Sequence, residues 1–71
     1  MTVRAALQVL RLYGWSDNKI ATHIGQILGT TGPSERSVHR WRTGATNPIP
    51  VYKDVIDSLY KNTSGEDNES S

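Results

Sequence analysis

The sequence predicts an all-α protein, a small bundle of about four helices. Three observations carry that expectation. Apolar residues recur at helical spacing along most of the chain. Serine, threonine, glycine and proline bracket those segments where helices start and stop. No stretch alternates apolar and polar residues cleanly, and phenylalanine is absent, so a strand reading is poor throughout.

The first helix is expected from Thr2, as its N-cap, to Tyr13, with Gly14 ending it. Val3, Ala6, Leu7 and Leu10 form its inward stripe, while Arg4 and Arg11 point away. The second helix opens at Ser16, again a capping residue. Asp17 follows in the first turn, where the helix dipole favours a negative charge. Ile20, Ile24, Ile27 and Leu28 share one face with Ala21 beside them, and Asn18, Lys19, Thr22, His23 and Gln26 face outward. Trp15, at the entry to this helix, reads as core or as a staple against it. A last helix starts near Pro50, since proline suits the first helical position. Tyr52, Val55, Ile56 and Leu59 give it an apolar side.

Between these lies "TGPSERSVHRWRTG", residues 31–44, with three arginines, a histidine and a tryptophan. Gly32, Pro33 and Ser34 break the chain and restart it, and Gly44 closes the new segment. A helix over 34–43 puts Val38 and Trp41 on one face as an anchor. Arg36, His39, Arg40 and Thr43 then form a polar stripe on the other face, with Ser37 and Arg42 flanking it. Two arginines on a helix can simply solvate it. A solvated face usually mixes signs, however, and here Glu35 is the one nearby acid.

The net charge of +1 hides an uneven distribution. Residues 1–61 hold all eight lysines and arginines against four acids, and 62–71 hold three acids and no base. The expected organisation is one domain, 1–61, followed by a disordered acidic tail, 62–71, which lacks apolar residues. A modestly basic domain suits a polyanionic partner, although ordinary solubility would account for the same balance. There is no cysteine, so no disulfide or thiolate metal site contributes to stability. No apolar run is long enough for a membrane span, and no secretory leader is read at the start.

The segments "GWSDNKIATHIG", "SERSVHRWRTG" and "TNPIP" follow one another in a telling order. Together they resemble the helix-turn-helix of the phage repressor (Cro/CI-like, lambda-repressor-like) family. "GWSDNKIATHIG" is similar to that family's first motif helix, with its small alanine and a glycine four residues on. "SERSVHRWRTG" resembles the recognition helix with its "RW-x-x-G" ending, and "TNPIP" resembles the proline-bearing loop before the next helix. The resemblance covers about residues 3 to 60. It departs from the family in a lengthened turn, because "QILGTTG" adds residues between Ala21 and Val38. Either the second helix is extended through Leu28 or the turn is a real loop. The family's fifth helix has no counterpart.

The resemblance implies a sequence-specific double-stranded DNA-binding regulator of transcription, a Cro-type repressor that reads the major groove with helix 34–43. It implies base contacts from Ser34, Glu35, Arg36, His39, Arg40 and Thr43. Phosphate contacts are expected from Ser16, Asn18, Lys19, Thr22, Ser37, Arg42, Thr46 and Asn47. A homodimer, at least on DNA, follows from the short reach of one domain, with Val51, Val55, Leu59 and Tyr60 as candidate dimer residues. The same four residues could instead close the monomer core.

Other classes remain open. A small helical protein-binding adaptor, antitoxin- or anti-repressor-like, would use the arginine stripe on an acidic protein, and an excisionase-like architectural binder would bend DNA. An enzyme is not expected: no nucleophile–base pair, phosphate loop or paired-carboxylate signature is present, and the core is too small for a deep pocket. His23 and His39 have no acid at ligand spacing, so no metal site is expected, nor any cofactor or small-molecule substrate. The expected location is the cytoplasm of a bacterial or phage-infected cell.

Overall fold

Capping chemistry sets most of the helix boundaries. The computed structural model describes residues 2–65, which hold four helices and no strand. They are α1 (Val3–Leu12), α2 (Asp17–Leu28), α3 (Glu35–Thr43) and α4 (Pro50–Ser64). Thr2, Ser16 and Ser34 each accept a hydrogen bond from a first-turn amide, those of Ala5, Lys19 and Ser37 at 3.1–3.2 Å. α4 has no side-chain cap, and Pro50 opens it, where a missing N–H leaves nothing unsatisfied. Gly29 and Gly44 end α2 and α3 in the left-handed conformation, at φ +69° and +88°.

The core is a single cluster drawn from all four helices. Val3, Ala6, Leu7 and Leu10 of α1 meet Ile20, Ala21 and Ile24 of α2, Val38 and Trp41 of α3, and Val55, Ile56 and Leu59 of α4. α1 packs on α3 and α4, and α2 packs on the same two helices. Trp41 also lies against Tyr52, with ring centroids 5.7 Å apart. The molecule measures 35 × 26 × 22 Å.

Four sequence expectations shift. Ile27, expected in the stripe of α2, is 59% exposed. It lines an open groove of about 280 Å³ between α2 and α4, with His23, Val55 and Leu59 among the other walls. His23, expected to face outward, is half-buried because the Trp15 ring sits edge-on to it at 5.5 Å. Val55 and Leu59, candidates for a dimer face, are buried in the monomer core, and Tyr60 packs against that core. Only Val51 of the four is exposed. Finally, α4 continues through Ser64 and is closed by Gly65, so residues 62–64 belong to the folded domain rather than to a tail. Residues 66–71 of the expected tail lie outside the described residues.

Both resolutions of the lengthened segment occur together. α2 runs to Leu28, and a loop of residues 29–34 then leads to α3. The loop folds back on α2. Thr30 N–H reaches the Gly25 carbonyl at 3.0 Å, and Gly32 N–H donates to Thr30 Oγ1 at 3.0 Å. A Cβ on Gly32 would lie 2.8 Å from the Gly25 Cα, and one on Gly25 would lie 2.8 Å from the Thr30 carbonyl oxygen. Two glycines and Ala21 thus form a notch that holds the loop backbone against α2. The extra residues are thus seated against α2 before the chain enters α3.

Candidate nucleic-acid interface

α3 presents two chemically different faces. Val38 and Trp41 turn inward, 0% and 6% exposed. Arg36, His39, Arg40 and Thr43 turn outward, joined at the start by Ser34 and Glu35. Neither Arg36 nor Arg40 holds an ion pair among the described residues. Their guanidinium groups are therefore available to a partner, in a form suited to two-pronged bonding. Ser34 and Thr43 are less available. The Ser34 hydroxyl caps α3 and donates to Ser37 Oγ at 3.1 Å, while Thr43 Oγ1 donates to the Arg40 carbonyl at 3.1 Å.

A further polar region lies at the start of α2. Ser16, Asn18, Lys19 and Thr22 are exposed there, and Ser16 spends one lone pair on its cap. Asn18, Lys19 and Thr22 line a shallow hollow of about 270 Å³ with Trp15, His23 and Gln26. Thr46 and Asn47 are exposed in the loop after α3. Ser37 is half-buried.

Arg42 and Asp17 join the two regions. Arg42 Nε donates to Asp17 Oδ1 at 3.1 Å and Nη2 to Oδ2 at 3.2 Å, a two-pronged bond from α3 to the first turn of α2. The fork of Arg42, expected at a phosphate, is thus committed to Asp17 instead. Arg42 Nη2 also lies 2.9 Å from His39 Nδ1, and that nitrogen is 3.4 Å from Asp17 Oδ2. The Asp17 side chain is 9% exposed and that of Arg42 is 18% exposed, while that of His39 is 55% exposed. Burial alone would raise the Asp17 carboxyl. The Arg42 hydrogen bonds and charge, helped by the charge of Arg11, outweigh burial and hold it below its ordinary value. The same bond raises the Arg42 guanidinium.

Reading each helix separately misses this pairing, yet the sequence carries a signal for it. Asp17 stands four residues before Ala21 and seven before Ile24, on the inward stripe of α2. Arg42 stands four after Val38, beside the anchor face of α3. An acid and a base on facing apolar stripes need one another, because a buried charge without a partner is costly.

α1 supports the far end of α3. The Arg4 guanidinium lies over Gly44, where a Cβ would come within 3.0 Å of Arg4 Nη1. A cation there meets the negative end of the α3 dipole. Gln8 Nε2 donates to the Arg42 carbonyl at 3.5 Å, a long bond.

Among the described residues no group of three or more metal-binding side chains occurs, and no helix is long and apolar enough to cross a membrane. Compared with known proteins, the chain matches no family model, no curated protein and no solved structure.

Proposed function

We propose that this protein is a sequence-specific double-stranded DNA-binding regulator of transcription, a Cro-type repressor that lays α3 in the major groove. The observation that carries this reading is the division of α3. One face is locked into the core by Val38 and Trp41, and the other displays Arg36, His39 and Arg40 with no acid paired to either arginine. A helix fits the major groove, which is about 12 Å wide. Nine residues span about 13 Å, enough for one half-site.

In this reading Arg36 and Arg40 bond the paired acceptors of guanine, and Glu35 accepts from a cytosine amine. Lys19, Asn18 and the amides at the start of α2 hold phosphate, with Thr46 and Asn47. Arg42 moves from that group to a supporting role: through Asp17 it sets the angle between α3 and α2. Two copies bind half-sites about one helical turn apart. Asp17 itself, an anion buried against Arg42, makes no contact with phosphate.

The test is selection from a random duplex DNA pool at two salt concentrations. A motif with two related half-sites, retained less at the higher salt, supports the reading. No retention at low salt overturns it and leaves the α3 stripe to an acidic protein partner.

A further inference from the structure

We propose that Asp17 and Arg42 fix His39 as an outward Nε2–H donor that selects a purine acceptor, N7 or guanine O6, at one position of the bound site. The inference rests on the major-groove reading of α3. Its basis is the hydrogen-bond chemistry around the ring. Arginine has donors and no acceptor. Arg42 Nη2 lies 2.9 Å from His39 Nδ1, so Nδ1 must offer a lone pair there. In a neutral imidazole the proton then belongs to Nε2. The alternative is a proton on Nδ1 bonded to Asp17 Oδ2, but that separation is longer, 3.4 Å, and Asp17 already accepts two bonds from Arg42.

The arrangement also orients the ring. Arg42 is held at two points by Asp17, and its Nη2 carries a second hydrogen that reaches His39. Nε2 lies across the ring from that contact, on a side chain that is 55% exposed. His39 sits in the polar stripe one position before Arg40 and three after Arg36. Arg42 and Asp17 are therefore positioning residues, and His39 is the one that would touch the base. In the major groove a purine presents N7 and guanine adds O6, both acceptors for an imidazole N–H.

The experiment has two arms. The first is long-range ¹⁵N–¹H correlation on the free, ¹⁵N-labelled whole chain at about pH 8, above the ordinary histidine range. A His23→Gln variant assigns the two rings. Wild type is expected to show Nε2–H at His39. In Arg42→Ala the nearest group left for Nδ1 is the Asp17 carboxylate, which only accepts, so the proton is expected to move to Nδ1. Arg42→Lys, whose ammonium also only donates, is expected to restore Nε2–H. A purely structural role for Arg42 would not move the proton from one nitrogen to the other. Nδ1–H in wild type, or an unchanged ring in a folded Arg42→Ala, overturns the inference whatever DNA does.

The other arm repeats the duplex selection with His39→Ala. The expected result is a loss of about fivefold to tenfold in purine preference at one position, the worth of one hydrogen bond, with the other positions kept. In Arg42→Ala that position is expected to turn toward edges with a donor, adenine N6 or cytosine N4. A motif unchanged by His39→Ala overturns the specificity role and leaves the DNA reading intact. Failure of wild type to select any motif overturns the DNA reading and the role together, and the ring measurement still reports on the tautomer. Neither the wild-type ring pattern nor the His39→Ala motif depends on Arg42→Ala folding.

Discussion

Asp17 carries its charge inside the contact between α2 and α3, and the two-pronged bond from Arg42 replaces the water it has lost. Its folded-state carboxyl is held below the ordinary value. The stability it supplies is therefore complete above the unfolded value of about 3.9 and is lost as pH falls through the lower folded value. Asp17→Asn is expected to cost about 2 kcal/mol at neutral pH, the scale of a charged hydrogen bond. The gap from wild type should close on acidification below about pH 4. Thermal melts followed by circular dichroism across that range check both; a gap that stays constant would remove the carboxylate as its source. Under the proposed function, two further substitutions separate the roles of the exposed basic side chains. Arg40→Ala should relax base preference at one position by about 1–3 kcal/mol. Lys19→Ala should weaken every duplex alike and lower the salt slope by about one. If both variants bind every sequence just as wild type does, α3 is not in the groove.

At the scale of elements, the loop of residues 29–34 decides how α3 is presented. Its backbone rests in a notch that exists because Gly25 and Gly32 lack Cβ atoms. Gly25→Ala gains helix propensity but places a methyl 2.8 Å from the Thr30 carbonyl oxygen, so a net loss of about 2 kcal/mol is expected. Gly29→Ala meets nothing within 4 Å and bears only the strain of its positive φ, about 1 kcal/mol. Urea unfolding of the two variants tests the notch. If Gly25→Ala proves the milder of the two, the loop is not seated against α2 as described. The helix starts are more ordinary, and Ser16→Ala or Ser34→Ala should each cost about 1 kcal/mol.

At the scale of the whole molecule, most of the residues expected to pair two copies are spent on the core instead. Val55 and Leu59 belong to the core that all four helices share, which leaves Val51 and the neighbouring Ile49 exposed at the start of α4. Leu59→Ala should therefore destabilise the monomer by about 3 kcal/mol, as a buried truncation does. Val51→Ser should leave the melting temperature near wild type. Under the proposed function, with the expected dimer residues largely in the core, pairing of two copies is expected to depend on the DNA that aligns them. Sedimentation of the free chain and of its complex with a selected duplex distinguishes this from a dimer that forms first. A free chain that sediments as a dimer and is made monomeric by Val51→Ser would place the interface at α4 instead.

The local grammar of this chain determined where its helices start and which side of each is apolar, though not where α2 and α4 end. Caps at Thr2, Ser16 and Ser34, glycine stops at Gly14 and Gly44, and stripes at helical spacing act over a few residues, so they can be read without knowing the fold. The inward role of Val38 and Trp41 and the outward placement of Arg36, His39, Arg40 and Thr43 follow from the same periodicity. Other features needed the tertiary structure, because they join residues far apart in the chain. Asp17 and Arg42 are 25 residues apart, and only the packing of α2 on α3 brings their charges together. Val55 and Leu59 have the same apolar character whether they meet a second copy or their own core. The core claims them because α1 and α2 both pack against α4. Ile27 keeps the spacing of its stripe yet remains exposed, since it borders an open groove rather than a facing helix. Helical spacing assigns each residue to a side of its own helix, and what that side meets is settled by how the helices pack.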